Sequence, residues 1–183
     1  MNKPNHLKYL GIVRPEKYIN FIENYVSFSE NNDYNREKYF SGCKNWFLVE
    51  RSRINHPEIV NNFFNISQDI TQILNSTYGS GSIDNVQFSL IPPGGKIKRH
   101  YDDGLNFSLS HRIHLPINTN NESVFFIGDQ SFNLKQGQLV EINNKKDHHV
   151  ENNSTYDRIH LIIDYIPSDR KSTRLNSSHT VIS

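Results

Sequence analysis

"SHRIHLPINTN" (residues 110–120) and "YDRIHLIIDY" (residues 156–165) share the tetrapeptide Arg-Ile-His-Leu, at positions 112–115 and 158–161. In each copy an arginine and a histidine stand two residues apart, with apolar residues between and beyond them. Side chains of a β-strand alternate between faces with period two, so each copy reads as a strand with one apolar face and one cationic face. The flanks of the two copies differ, which argues against an internal repeat.

Outward from these strands, the chain after residue 85 alternates short apolar runs with turn signals. The candidate strands are "VQFSLI", "IKRHYD", "RIHLPIN", "SVFFIG", "SFNL", "QLVEI", "HHVEN" and "RIHLIIDY". Between them lie "PPGG", "GD", "KQG", "NNKKD" and "NNSTYD", whose Gly, Pro, Asn and Asp residues favour turns. The first half reads as helical. In residues 15–28 the apolar residues Tyr18, Phe21, Ile22 and Tyr25 fall on one face. In residues 56–79, Ile59, Phe63, Ile66, Ile70 and Ile73 step by four and three, Pro57 suits the first turn and Gly79 suits the end. The expected architecture is mainly β with N-terminal helices: a helical part over 1–84 packed on a β core over 85–166, in a helix-buttressed jelly roll.

At 183 residues the chain suits one domain, and a formal charge of +1 offers no electrostatic reason to bind nucleic acid or an anionic membrane. A single cysteine, Cys43, excludes an intrachain disulfide. The N-terminus lacks a signal-peptide pattern and no run is long enough to span a bilayer, so a cytoplasmic setting is expected. The last stretch, 171–183, shows no period and changes composition abruptly. It is read as an artefactual or disordered tail, and without Lys171 and Arg174 the formal charge becomes −1.

The chemistry concentrates in "KRHYDDG" and "KKDHHVENNSTYDRIHL". His-x-Asp at 100 and 102 puts an imidazole and a carboxylate on one strand face. With a distal histidine, this is the spacing of a facial two-His-one-carboxylate site for non-haem Fe(II). By itself the His-x-Asp pair is a weak signal, more often a surface ion pair. If "NNSTY" turns a hairpin centred near Asn153, His148 falls opposite Arg158, with Cβ atoms about 4.5–5.5 Å apart. An arginine beside a metal-bound histidine suits a small dicarboxylate that chelates the metal at one end and meets a cation at the other. On this register His149 points away and His148 is the ligand; a single bulge would exchange them. Trp46 reads as a packed aromatic before a residue of the substrate mouth, and Cys43 as inert.

The ordered series "FSLIPPGGKIKRHYD", "RIHLPINTN" and "DRIHLIIDY", with His-x-Val-x-Asn between the last two, resembles the aspartyl/asparaginyl β-hydroxylase family and the related bacterial proline hydroxylases. The resemblance covers about residues 85–166. It implies a double-stranded β-helix, the cupin-like jelly roll, and an Fe(II)- and 2-oxoglutarate-dependent dioxygenase. Such an enzyme uses O2 and releases succinate and CO2. Carried over by position, His100, Asp102 and His148 match the metal ligands. Arg158 matches the arginine for the distal carboxylate of 2-oxoglutarate, and Ser89 a serine that assists it. Arg112 and His114 match the pair near the co-substrate's chelating end. The two Arg-Ile-His-Leu copies would then form two walls of one anion pocket. Arg112 has a second reading as the partner of Asp102 or Asp103, and His160 reads as a core or outer-sphere histidine.

The expected substrate is an aspartyl, asparaginyl or prolyl residue of a peptide, or a free amino acid such as proline; oligomeric state is not legible. Two rival classes remain. A non-catalytic cupin-like module would bind a small acid without consuming it. A zinc hydrolase would need a general base beside the metal, which the sequence does not offer, and two arginines would be surplus.

Overall fold

The computed structural model describes residues 3–30 and 42–170. The first half of the chain holds β1 (Leu7–Ile12), α1 (Glu16–Tyr25), β2 (Ser29–Glu30), β3 (Lys44–Glu50), β4 (Arg53–Ile54), α2 (Pro57–Ile66) and α3 (Gln68–Tyr78). There follow β5 (Gly81–Ile91), β6 (Lys96–His100), α4 (Leu105–Leu109), β7 (His111–Asn118), β8 (Ser123–Ile127) and β9 (Gln130–Phe132). The last strands are β10 (Gln138–Ile142), β11 (His148–Asn152) and β12 (Arg158–Pro167).

These strands form two antiparallel sheets. The larger has eight strands in the order β1-β10-β7-β12-β5-β3-β2, with β4 beside β3; the smaller has four, β6-β11-β8-β9. The expected double-stranded β-helix, with its jelly-roll and cupin-like description, is not what forms. The fold is mixed α/β, and among the described residues no strand pairs into both sheets, so no barrel closes. The cause lies in the half read as helical. "LKYLGI" pairs as β1 along the open edge of β10, and "KNWFLVE" pairs as β3 along β5. Each addition covers an edge whose N–H and C=O groups would otherwise be free, and the sheet widens instead of curling shut.

Period two then divides the large sheet into two working faces. Phe88, Ile113, Leu115, Leu161 and Ile163 point to the side covered by the helices, where Tyr18, Phe21, Phe63, Ile70 and Leu74 meet them in one buried cluster. Full burial of a side chain such as Phe63 or Phe88 contributes about 1.5–3 kcal/mol. Trp46 belongs to this cluster, stacked on His56 at 4.5 Å between ring centroids, and so is a packed aromatic. The helix expected over 56–79 is interrupted at Ser67, whose Oγ accepts from the buried Tyr18 hydroxyl at 3.1 Å. The opposite face carries Gln87, Ser89, Arg112, His114, Ile162 and Asp164 toward a cavity shared with the small sheet.

The passage from β5 to β6 carries the chain from the large sheet to the small one through Pro92–Gly95. Gly94 adopts φ +70° there, and a Cβ on Gly95 would meet the Pro92 carbonyl at 2.9 Å. Both glycines of "PPGG" are therefore required by the turn. No helix among the described residues is long and apolar enough to cross a membrane. The tail over 171–183 lies outside the described residues.

Candidate active site

In the small sheet, β11 lies between β6 and β8, and His148 stands directly opposite His100. The pairing then slips: Val150 faces Ile97, so β6 spends one extra residue between the two pairs. That bulge turns both Ile97 and His100, three residues apart, toward the cavity. The rings of His100 and His148 are 4.3 Å apart. Each anchors its Nδ1–H on the carbonyl two residues earlier, His100 on Lys98 at 2.7 Å and His148 on Lys146 at 2.9 Å. Both Nε2 atoms are thereby left as lone-pair donors. Burial pulls His148 down to about 4, so its ring is neutral.

Asp102 supplies the third group, from the segment just after β6 and not from the strand itself. Its Oδ1 is 3.9 Å from His100 Nε2. Its Oδ2 accepts from Arg112 Nη1 at 2.7 Å and from Asn144 Nδ2 at 3.1 Å. Burial would raise this carboxyl, but Arg112, His148, Asn144 and His100 outweigh it and hold it below the usual carboxylate range. One ligand atom from each of His100, Asp102 and His148 lies within 4.8 Å of the other two. Two imidazoles and one ionised carboxylate, each oriented from behind, fit a hard divalent metal with open positions.

His149 lies on the other side of β11, stacked on Phe126 at 4.2 Å with the rings 1° from parallel. It is not part of the site. The expected hairpin between His148 and Arg158 does not form. β11 pairs in the small sheet and β12 in the large one, where Arg158 faces Ile91. Arg158 nevertheless lines the same cavity as His148, from the opposite sheet. The two Arg-Ile-His-Leu copies also sit differently from two facing walls. They occupy neighbouring strands of one sheet, with Ile162 opposite His114 and Asp164 opposite Arg112. They make one wall; His100 and His148 belong to the other.

Arg112 makes a bidentate pair with Asp164, Nε at 2.9 Å and Nη2 at 2.8 Å, while Nη1 holds Asp102. Phe107 of α4 lies against its guanidinium at 4.6 Å. Arg158 has a different environment. It is 3% exposed, donates to His160 Nδ1 at 2.9 Å, lies 5.8 Å over the Phe125 ring and makes no ion pair with any described residue. Burial pulls it below the ordinary guanidinium value. His114 is buried with neither ring nitrogen hydrogen-bonded to a described residue. Burial, then Arg158, holds His114 and His160 neutral. Ser89 is buried, faces His160 across β5 and β12, and lines the cavity. All seven residues singled out in the sequence thus border one cavity of about 510 Å³.

The profile of the family described as aspartyl/asparaginyl beta-hydroxylase matches residues 17–167. The chain belongs to that family. With it the protein is a member of the 2-oxoglutarate/Fe(II)-dependent oxygenases and an enzyme. Solved structures of low identity share the fold. A 2OG-Fe(II) family oxidoreductase from Burkholderia pseudomallei aligns at TM-score 0.65 and 13% identity, over 81% of this chain and 77% of that one. A Pseudomonas putida prolyl-4-hydroxylase aligns at 0.58 and 14%, over 89% and 94%. The viral collagen prolyl hydroxylase of Paramecium bursaria Chlorella virus-1, a 2-oxoglutarate complex, aligns at 0.55 and 9%, over 89% and 97%. No curated protein matches the chain.

Several residues of this β-hydroxylase-family site carry no signal in the sequence. Asn144 and Asp164 orient Asp102 and Arg112, yet Asn144 sits in an asparagine-rich turn and Asp164 in an apolar strand. Only the period-two register from His160 through Ile162 marks Asp164 as inward-facing. The cavity mouth is bordered by Glu50 and Arg51, from the tight turn between β3 and β4, and by exposed Tyr101 and Leu105.

Proposed function

We propose that the protein is an Fe(II)/2-oxoglutarate dioxygenase that hydroxylates an aspartyl, asparaginyl or prolyl side chain, or a free amino acid such as proline. The observation that carries this reading is Arg158: a fully buried guanidinium without a carboxylate partner among the described residues, lining the cavity that the His100–Asp102–His148 cluster borders from the other sheet. An unpaired buried cation is costly, and a bound dianion would offset that cost.

In this reading His100 and His148, through Nε2, and Asp102, through Oδ1, hold Fe(II). When bound, the metal and 2-oxoglutarate supply the activation of O2, with 2-oxoglutarate oxidised to succinate and CO2 as the substrate gains a hydroxyl. Arg158 grips the distal carboxylate bidentately, and Ser89 donates its hydroxyl beside it. His114, neutral and with no hydrogen-bond partner among the described residues, donates to the chelating end. Arg112 has N–H groups left after its two carboxylates and faces the same end. Phe125 and Val150 give the cavity a dry apolar side that keeps these contacts strong.

The test is an anaerobic titration of Fe(II) and 2-oxoglutarate into the protein, following the visible charge-transfer band of the chelate. A band that appears with wild type and is lost in His148→Ala supports the reading, and succinate release then ranks amino acids and peptides as substrates. Metal binding without the band would remove 2-oxoglutarate from the arginine pocket and favour a small-acid-binding module.

A further inference from the structure

The loop between β10 and β11 serves both halves of the metal cluster. Asn144, fully buried, holds Asp102 twice: its Nδ2 donates to Oδ2 at 3.1 Å, and its carbonyl accepts from the Asp102 N–H at 2.9 Å. Lys145 Nζ donates to the Asp102 carbonyl at 3.0 Å, and the Lys146 carbonyl fixes the His148 ring. A single short loop therefore aims a carboxylate and an imidazole.

That loop is itself held by residues 3–6. Lys3 Nζ donates to Asn144 Oδ1 at 2.8 Å and to the Ser110 carbonyl at 2.6 Å. Asn143 donates through Nδ2 to the Pro4 carbonyl at 2.9 Å and through its main-chain N–H to the His6 carbonyl at 2.8 Å. Lys146 Nζ donates to Asn5 Oδ1 at 3.0 Å. The Lys3 contact has a directional consequence. A carboxamide presents an acceptor on one side and donors on the other, and an ammonium can only donate. With Lys3 on Oδ1, the Asn144 amide is locked with Nδ2 toward Asp102. Flipped, it would set an oxygen against the Asp102 carboxylate.

We propose that residues 3–6 clasp the metal-ligand loop, and that Lys3 is a positioning residue for Asp102 acting through the Asn144 amide. The proposal rests on the metal-site reading. Lys3 makes no hydrogen bond to a metal ligand and does not line the cavity. Apart from its charge, which acts on Asp102 through space, its hydrogen-bonded path to the ligands runs through Asn144. Residues that orient metal ligands from behind are worth about 10–100-fold in metal affinity.

The experiment measures Mn(II) affinity of the full chain by electron paramagnetic resonance, beside the unfolding midpoint without metal. Lys3→Met is expected to weaken Mn(II) binding about tenfold, and Asn144→Ala by about 10–100-fold. Lys17→Met, which removes a bidentate lysine contact to Asp69 remote from the cluster, is the control and is expected to leave Mn(II) affinity unchanged. The deciding measurement is the double variant. If Lys3 acts through Asn144, Lys3→Met costs nothing further in the Asn144→Ala background. Additive losses, or wild-type affinity in Lys3→Met, would overturn the clasp, as would a loss matched by Lys17→Met. A wild-type protein that binds no Mn(II) would overturn the metal-site reading itself, and the clasp with it.

Discussion

Arg112 and Asp102 share one hydrogen bond at 2.7 Å, and it fixes which Asp102 oxygen faces the histidines. The bonded oxygen is Oδ2; Oδ1 remains on the side of His100 Nε2. Arg112 is also the cross-strand partner of Asp164, so one guanidinium neutralises two buried carboxylates. Arg112→Met would leave both uncompensated and is expected to destabilise the fold by about 3–5 kcal/mol, read from urea unfolding. Arg112→Lys is expected to recover little, since a point charge cannot span two carboxylates in the geometry of a planar fork. Wild-type stability in Arg112→Met would mean that solvent already compensates these carboxylates.

Arg158 is the reverse case, a buried charge with no carboxylate partner among the described residues. Arg158→Met is expected to raise the unfolding midpoint in the absence of ligand, because the substitution removes the cost of burying the cation. The same variant is expected to lose a bidentate charge-assisted contact worth about 1.5–3 kcal/mol, or about 10- to 150-fold in 2-oxoglutarate affinity. Calorimetric unfolding and a 2-oxoglutarate titration, both on the Mn(II)-loaded and metal-free protein, measure the two effects. A variant that is less stable and binds 2-oxoglutarate unchanged would make Arg158 a structural residue.

His148 and His149 are adjacent and lie on opposite sides of β11. His148→Ala is expected to reduce metal affinity well beyond the roughly 10–100-fold of an outer-shell change. His149→Ala removes only the stack on Phe126 and is expected to keep metal affinity near wild type, with a stability loss of about 0.5–1.5 kcal/mol. Metal titration of the two variants separates them; the opposite order would reverse the facing of the strand.

The grouping of His100, Asp102 and His148 was legible because these residues obey local rules. His100 and Asp102 are two residues apart, His148 begins a run of alternating residues, and each Arg-Ile-His-Leu copy fixes its own face. What was not legible is which strand meets which. His148 and Arg158 were expected to face each other across a hairpin, and they meet across a cavity from different sheets. Strand pairing depends on edges far away in sequence: β1 to β4 complete a sheet whose other members begin at Gly81. The apolar run of "KNWFLVE" carries that information only weakly, because it names a strand and not its neighbour. Asn144 was illegible for another reason, since an asparagine in a turn has ample local explanation.

The misread turn has a specific cause, Asn152. Its fully buried side chain donates through Nδ2 to the carbonyls of Ile91, at 2.9 Å, and Tyr156, at 2.7 Å. Its Oδ1 accepts from the hydroxyls of Ser123 and Ser154 at 2.9 and 2.7 Å. Its main chain exchanges bonds with Gly94 and Gly95. One carboxamide thus ties the end of β11 to β5 and β8, and redirects the chain so that Arg158 enters the large sheet. Asn152→Ala would remove the Nδ2 donor from these carbonyls and the Oδ1 acceptor from the two serines, at about 1–3 kcal/mol for each buried group left unpaired. Asn152→Asp is expected to cost more, because it sets a carboxylate against those carbonyls. In both variants 2-oxoglutarate affinity is expected to fall with stability, since Arg158 lies six residues on along the redirected chain. Urea unfolding and 2-oxoglutarate titration report the two together, and an Asn152→Ala protein with wild-type values in both would show that the crossover is held by the glycine turn alone.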